Sequence, residues 1–260
     1  MIPLPPAFYA RDGDLFVPTP LCIGPWSEAA QHGGPPAALL VGALERSGEG
    51  PEVFRLVRFM VDLVRPVPMA PLRLSVEPVA LGRKVQRLAA TLRAGEVVVA
   101  RATGLRLRRA PVDVPVREEP RLPAPEASID LPFSFFTAEV GYHRAVEVRI
   151  ARGTWGEGPV TGWMRPRVPL FEGVALSPWE RVACVADAES GLCPPLPPAR
   201  YTFLNPDLVV VLDRLPVGEW IGLEGRSVAH PDGVGIAEAA LHDTLGRIGH
   251  SVQSLLIEPR

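Results

Sequence analysis

The chain has 260 residues, 31 of them proline and 24 glycine. Together these make about a fifth of the chain, against roughly 12% in average usage, and because proline removes a donor and clashes with the preceding turn, a large helical bundle is excluded. With 27 basic and 29 acidic residues the formal net charge is −2, so no field gathers nucleic acid or an anionic membrane, and neither is expected as a partner.

The first predicted element is a helix. His32-Gly33-Gly34-Pro35-Pro36 leads into an apolar run from Ala37 to Glu45, closed by Ser47-Gly48. Two β-rich stretches follow, Phe54–Val64 and Leu72–Val79, and then a hairpin: Val85–Leu92, a turn over 93–96, and Val97–Leu107. The alternation of Leu105, Arg106, Leu107 and Arg108 has the period of two of a half-buried strand, with the arginines on the solvated face. Residues 111–132 hold six prolines and no periodic apolar pattern; they read as an extended linker between units at 1–110 and 133–260.

The second half repeats the plan. Ser177 is the expected N-cap of a helix, Pro178 its first residue, Glu180 the capping-box partner and Gly191 the stop. Phe203–Leu212 and Glu219–Ala229 read as strands, and Val234–Ile257 as a second hairpin turning at 243–246. Placing Gly95 over Gly246 aligns the hairpins without a gap and sets Ala102 against Gln253. One helix against several antiparallel strands, twice over, predicts an internally duplicated α+β fold.

Several chemistries lack their residues. Cys22, Cys184 and Cys193 have no C-x-x-C spacing, and the five histidines have no metal-ligand spacing, so neither a disulfide framework nor a metal site is expected. G-x-S-x-G, G-x-G-x-x-G and the P-loop pattern are absent. The opening Met-Ile-Pro-Leu-Pro-Pro has no charged n-region before an apolar stretch, and no apolar run approaches 18 residues; a cytoplasmic protein is expected.

Trp26, His32-Gly33-Gly34, Asp62-x-x-Arg65-Pro66 and Gly82-Arg83-x-Val85-Gln86-Arg87 occur in that order. The second half adds Ala186-Asp187, Asn205-Pro206-Asp207-Leu208, Gly218-Glu219-Trp220 and Gly246-x-Ile248-Gly249-x-Ser251-Val252-Gln253. Across nearly its whole length the sequence resembles the acyl-CoA thioesterases of the bacterial thioesterase II type. The resemblance implies a double hotdog, in which each of two units wraps an antiparallel sheet around a central helix. It further implies hydrolysis of an acyl-CoA or related acyl thioester by a water molecule held by an Asp, a Thr or Ser, and a Gln, with no metal, cofactor or covalent serine intermediate.

On that resemblance Asp187 orients or deprotonates water and Gln253 holds it. Asp187 also stands at the margin of the apolar stripe formed by Trp179, Val182, Ala183 and Ala186; read without the family it is a solvated aspartate, as Gln253 is a solvated strand residue. The hydroxyl is expected eight residues after Trp220, where Val228 stands; Ser227, one position earlier, is the candidate. His32, Gly33 and Gly34 open a helix whose free amides can polarise a carbonyl or hold a phosphate, or they form no more than a tight turn. Arg83, Arg87, Arg101, Arg106 and Arg108 read as a solvated face, with contact to coenzyme A phosphates as the alternative. Hydratases of this fold pair a histidine with a carboxylate, which would require His32 to approach Asp187 in space. A non-catalytic acyl-group binder is the rival from another class, and pairing of chains into a homo-oligomer is expected from the need to cover sheet edges.

Overall fold

The structure, a computed structural model, describes residues 3–48, 50, 52–115 and 120–260. Strands β1 (Tyr9–Asp12) and β2 (Leu15–Pro18) form a short hairpin that sequence patterning did not announce. Helix α1 (Gly34–Arg46) follows, then β3 (Phe54–Asp62), β4 (Leu72–Leu81), β5 (Val85–Ala94) and β6 (Val97–Arg108). Within the expected linker, 116–119 lie outside the described residues, and Ile129–Asp130 forms a two-residue strand, β7. The rest of that segment is anchored to the second half: the Trp163 indole donates to the Pro123 carbonyl at 2.7 Å and Arg149 to that of Pro125 at 3.0 Å.

A one-turn helix α2 (Tyr142–Ala145) runs into β8 (Val146–Arg152) and β9 (Val160–Pro166), also unforeseen, although Val146, Val148 and Ile150 alternate with Glu147 and Arg149. Helix α3 (Pro178–Ala186) begins as expected, with Glu180 N–H donating to Ser177 Oγ at 3.1 Å and Ser177 N–H to Glu180 Oε2 at 2.8 Å. It ends at Asp187, before a short α4 (Glu189–Leu192). The chain closes with β10 (Tyr201–Leu204), β11 (Asp207–Leu212), β12 (Ile221–Ala229), β13 (Val234–Asp243) and β14 (Gly246–Pro259).

The strands form one antiparallel sheet in the order β1-β2-β4-β5-β6-β3-β11-β14-β13-β12-β9-β8-β7, with β10 also paired to β14. The order β4-β5-β6-β3 on one side of the centre is matched by β12-β13-β14-β11 on the other, and β3 pairs with β11 at the seam, Phe59 opposite Val210. The registers correct the glycine-based alignment. One constant offset relates Pro78 to Ser227, Leu88 to Ala237 and Gly104 to Gln253, each set forming a row across its sheet. Gln253 therefore corresponds to Gly104 and not to Ala102, because Gly95 lies inside its loop whereas Gly246 is already paired with Asp243.

Helices α1 and α3 are buried against the sheet and against each other, with Ala37 to Val41, Leu44, Trp179 and Val182 to Ala186 at 2% exposure or less. They run antiparallel, since Arg46 at the end of α1 pairs with Glu180 at the start of α3 at 2.6 Å, and Gly34 at the start of α1 abuts Cys184 near the end of α3. A Cβ on Gly34 would come 2.2 Å from the Cys184 carbonyl oxygen, so the close crossing requires glycine there. β6 corrects a second expectation: Arg106, at 1% exposure, points inward and Leu107 outward. Its guanidinium donates to the carbonyls of Ser47 and Phe54 and to Gln86, capping the end of α1.

Candidate active site

The last carbonyls of a helix lack intrahelical partners, and the end of α3 is closed by Gln253, which is fully buried and reaches across from β14. Its Nε2 donates to the Asp187 carbonyl at 3.0 Å and to that of Ala186 at 3.5 Å. This fixes the backbone of Asp187 and turns its side chain toward the start of α1. Asp187 Oδ1 accepts from Asn205 Nδ2 at 2.7 Å, and Oδ2 lies 2.9 Å from His32 Nδ1. Gly33 permits the approach, because a Cβ there would stand 2.6 Å from Oδ1.

His32 is held on three sides. Its backbone N–H donates to Cys22, its ring stacks on Tyr142 at 3.7 Å and 6°, and Gly34 N–H reaches its Nδ1 at 3.1 Å. Tyr142 donates in turn to the Cys184 carbonyl at 2.8 Å, and burial pushes its phenol well above the usual range, so it stays neutral. Nδ1 of His32 thus meets two groups at once, the Gly34 N–H that donates to it at 3.1 Å and Asp187 Oδ2 at 2.9 Å.

Asp187, His32, Gly33 and Asn205 line a cavity of about 530 Å³. Its apolar wall is Trp26, Leu63, Phe135, Phe203, Leu204 and Leu256. Trp26 meets Phe203 edge to face at 4.9 Å, with Arg260 over the indole at 5.3 Å. Gln253 and Ser227 are not on this wall. Gln253 acts on the backbone behind Asp187, and Ser227 lies in the same sheet row, separated by Ala237. The register also decides between neighbours on β12: the Ser227 hydroxyl is buried, while Val228 is 57% exposed on the outer face.

Of the residues singled out in the sequence, the structure thus joins His32, Gly33, Asp187 and Gln253 in one connected group, with Gly34 beneath His32 and Ser227 set apart. The approach of His32 to Asp187 is the feature that sequence separation hid. Asn205 belongs to a strand-opening Asn-Pro motif, a context that carries no sign of its contact with a carboxylate. In the first half the position of Gln253 is taken by Gly104, over which Leu44 of α1 packs.

The profile of the acyl-CoA thioesterase N-terminal domain matches residues 23–107, and that of the acyl-CoA thioesterase C-terminal domain matches 117–257. The chain belongs to the acyl-CoA thioesterase family. It is a hydrolase of that family. No curated protein sequence matches it. Among solved structures, a protein from Novosphingobium aromaticivorans named as a thioesterase is 21% identical, with 97% of this chain and 99% of that one covered and a TM-score of 0.69. The tesB protein of Mycobacterium avium subsp. paratuberculosis is 20% identical over 96% of each chain, with a TM-score of 0.68. A protein with hot dog fold from Alicyclobacillus acidocaldarius is 18% identical, covering 97% of this chain and 95% of that one, at 0.68. These likenesses establish a hotdog fold along most of the chain. Among the described residues no group of His, Cys, Asp or Glu is arranged to hold a metal ion, and no helix is long and apolar enough to cross a membrane.

Proposed function

We propose that this thioesterase is a double hotdog that hydrolyses an acyl-CoA, or a related acyl thioester, to the free acid and thiol. The observation that carries the reading is the Asp187 carboxylate, fixed by Asn205 and His32 in the wall of a cavity whose other side is apolar. The matched strand order of the two halves supports the double hotdog.

In this reading a water molecule held against Asp187 attacks the thioester carbonyl carbon and passes its proton to the Asp187–His32 pair. The Gly33 N–H, just ahead of α1, faces the developing oxyanion; Gly34 N–H is taken up by His32 Nδ1, and Pro35 and Pro36 carry no N–H. Collapse of the tetrahedral intermediate breaks the C–S bond, and the thiolate recovers a proton as it leaves. Gln253 keeps Asp187 in place from behind, and Ser227 belongs to the buried polar row that backs it. The apolar wall takes the acyl chain. Exposed Val228, Val234 and Ile236 on the outer sheet face support association of chains into a homo-oligomer; the outermost strands β1 and β7 are too short to demand it.

The test is thiol release from a panel of acyl-CoA chain lengths by the wild type and by Asp187→Asn. We expect turnover by the wild type on at least one chain length and a loss of about 100-fold or more in kcat for the variant. Binding of acyl-CoA without thiol release would point to a non-catalytic binder. A second reading is favoured by the His32–Asp187 contact itself, since such a pair can also add water across a 2-enoyl thioester. Loss of enoyl-CoA absorbance without thiol release would select it.

A further inference from the structure

Glu189, the first residue of α4, has no exposed surface, and its carboxyl has no part in the hydrolysis proposed above. Oε2 accepts from Ser251 Oγ at 2.7 Å, while Oε1 has no partner among the described residues. One inward position further along β14 stands Gln253, also without exposed surface; its nitrogen is engaged with the end of α3, and its Oε1 is likewise unpartnered. A third unpartnered buried oxygen, Ser227 Oγ, shares the row of Gln253. Buried polar atoms left without partners are rare, and each calls for an explanation.

Among the described residues the groups that act on Glu189 offer no cation. Asp187 precedes it at the end of α3, Cys193 follows α4, and Glu238 on β13 is itself paired with Arg226. A deprotonated carboxylate and the carbonyl end of an amide are both pure acceptors. A hydrogen on Glu189 would make Oε1 a donor, and the unpartnered acceptor one inward position along β14 from its partner Ser251 is Gln253 Oε1.

We propose that Glu189 is a positioning residue that remains protonated and donates a hydrogen bond, directly or through one buried water molecule, to Gln253 Oε1. This bond locks the amide of Gln253 in the orientation that holds the Asp187 carbonyl. Burial pushes the Glu189 carboxyl up to about 8, in keeping with a neutral acid at working pH. The inference rests on the hydrolytic reading for its effect on rate, but not for the state of the proton.

The sign of the pH dependence follows from linkage. The unfolded chain releases this proton in the ordinary carboxylate range near pH 4.3, whereas the folded chain keeps it to about 8. Stability therefore falls as pH rises across that window. Glu189→Gln cannot ionise, yet it offers an N–H to Gln253 and an oxygen to Ser251.

Thermal unfolding of the wild type, Glu189→Gln and Glu189→Leu is to be followed from about pH 5 to about pH 8, alongside thiol-release kinetics. We expect the Tm of the wild type to drop relative to that of Glu189→Gln as pH rises. Glu189→Leu should lower kcat about tenfold with KM unchanged, and Glu189→Gln should recover it to within about threefold, as for partners that orient a reacting group. Parallel Tm curves for the wild type and Glu189→Gln would overturn the protonated state. Full activity in Glu189→Leu, or no recovery in Glu189→Gln, would overturn the positioning role. If the wild type releases no thiol from any acyl thioester, the hydrolytic reading fails instead, while the unfolding curves still decide where the proton resides.

Discussion

Asp187 is placed by residues from distant parts of the chain: Asn205 and His32 hold its oxygens, Gly33 leaves room for it, and Gln253 fixes its backbone. Removing one donor should therefore weaken the proposed hydrolysis without abolishing it. Asn205→Ala is expected to lower kcat about tenfold in the thiol-release assay and to lower Tm, because it leaves an oxygen of the buried Asp187 carboxylate without its donor. His32→Gln should lower kcat further, since it removes the ring whose Nδ1 lies 2.9 Å from the carboxylate. Asp187 is singled out by the family resemblance; its place at the margin of an apolar helical stripe suits a solvated aspartate equally well. Which of Ser227 and Val228 faces inward depends on strand parity, which no local pattern gives, and the inward face of Arg106 is hidden because its neighbours alternate in a way that suits either face. Side-chain pairs far apart in sequence, such as His32 with Asp187, leave no local periodicity to detect.

At the scale of elements, local chemistry predicts most reliably. The Ser177–Glu180 capping box forms as its spacing implies, and Ser177→Ala should cost about 1 kcal/mol, read as a lower midpoint in urea with kcat unchanged. Packing between elements is less forgiving. Gly34→Ala would set a methyl group 2.2 Å from a backbone oxygen of α3, where neither partner is a flexible side chain. We expect a loss of roughly 3 kcal/mol or more and a parallel loss of activity, since α1 carries His32. The two hairpins were evident from alternation and turn glycines, but their equivalence was displaced by two residues, because a glycine can occupy different positions in loops of the same length. β8 was overlooked through the opposite failure: its alternation is regular, but its run is short and interrupted at Arg152.

For the molecule as a whole, the central seam between β3 and β11 joins the halves, and further ties secure it. Phe8 and Tyr9 donate backbone hydrogen bonds to Pro169 and Leu170, and Trp179 donates to Leu56 across the halves at 3.2 Å. Close to the far end of β11, Arg214 grips Asp243, whose side chain has no exposed surface. Burial alone would raise that carboxyl, but hydrogen bonds from Arg214 and from the N–H groups of Val217 and Leu245 hold it below the usual range. Its contribution is present above the ordinary carboxylate range and disappears as pH falls through the lowered value. Asp243→Asn should thus lose roughly 2–3 kcal/mol at neutral pH and show a shallower fall in Tm from pH 7 to about pH 3 than the wild type. The layering of helix against sheet was visible from element order, whereas the seam was not, because which strands meet across a duplication depends on packing and not on composition.

The packing of Leu44 over Gly104, where the other half has Asp187 beside Gln253, bears on stoichiometry. Two identical subunits related by a twofold axis must share any change, so neither can specialise without the other. Within one chain the two interiors are free to differ: Leu44 packs over Gly104 in the first half, whereas in the second Gln253 is engaged with the end of α3. Calorimetric titration with a non-hydrolysable acyl thioester analogue should accordingly saturate at one equivalent per chain.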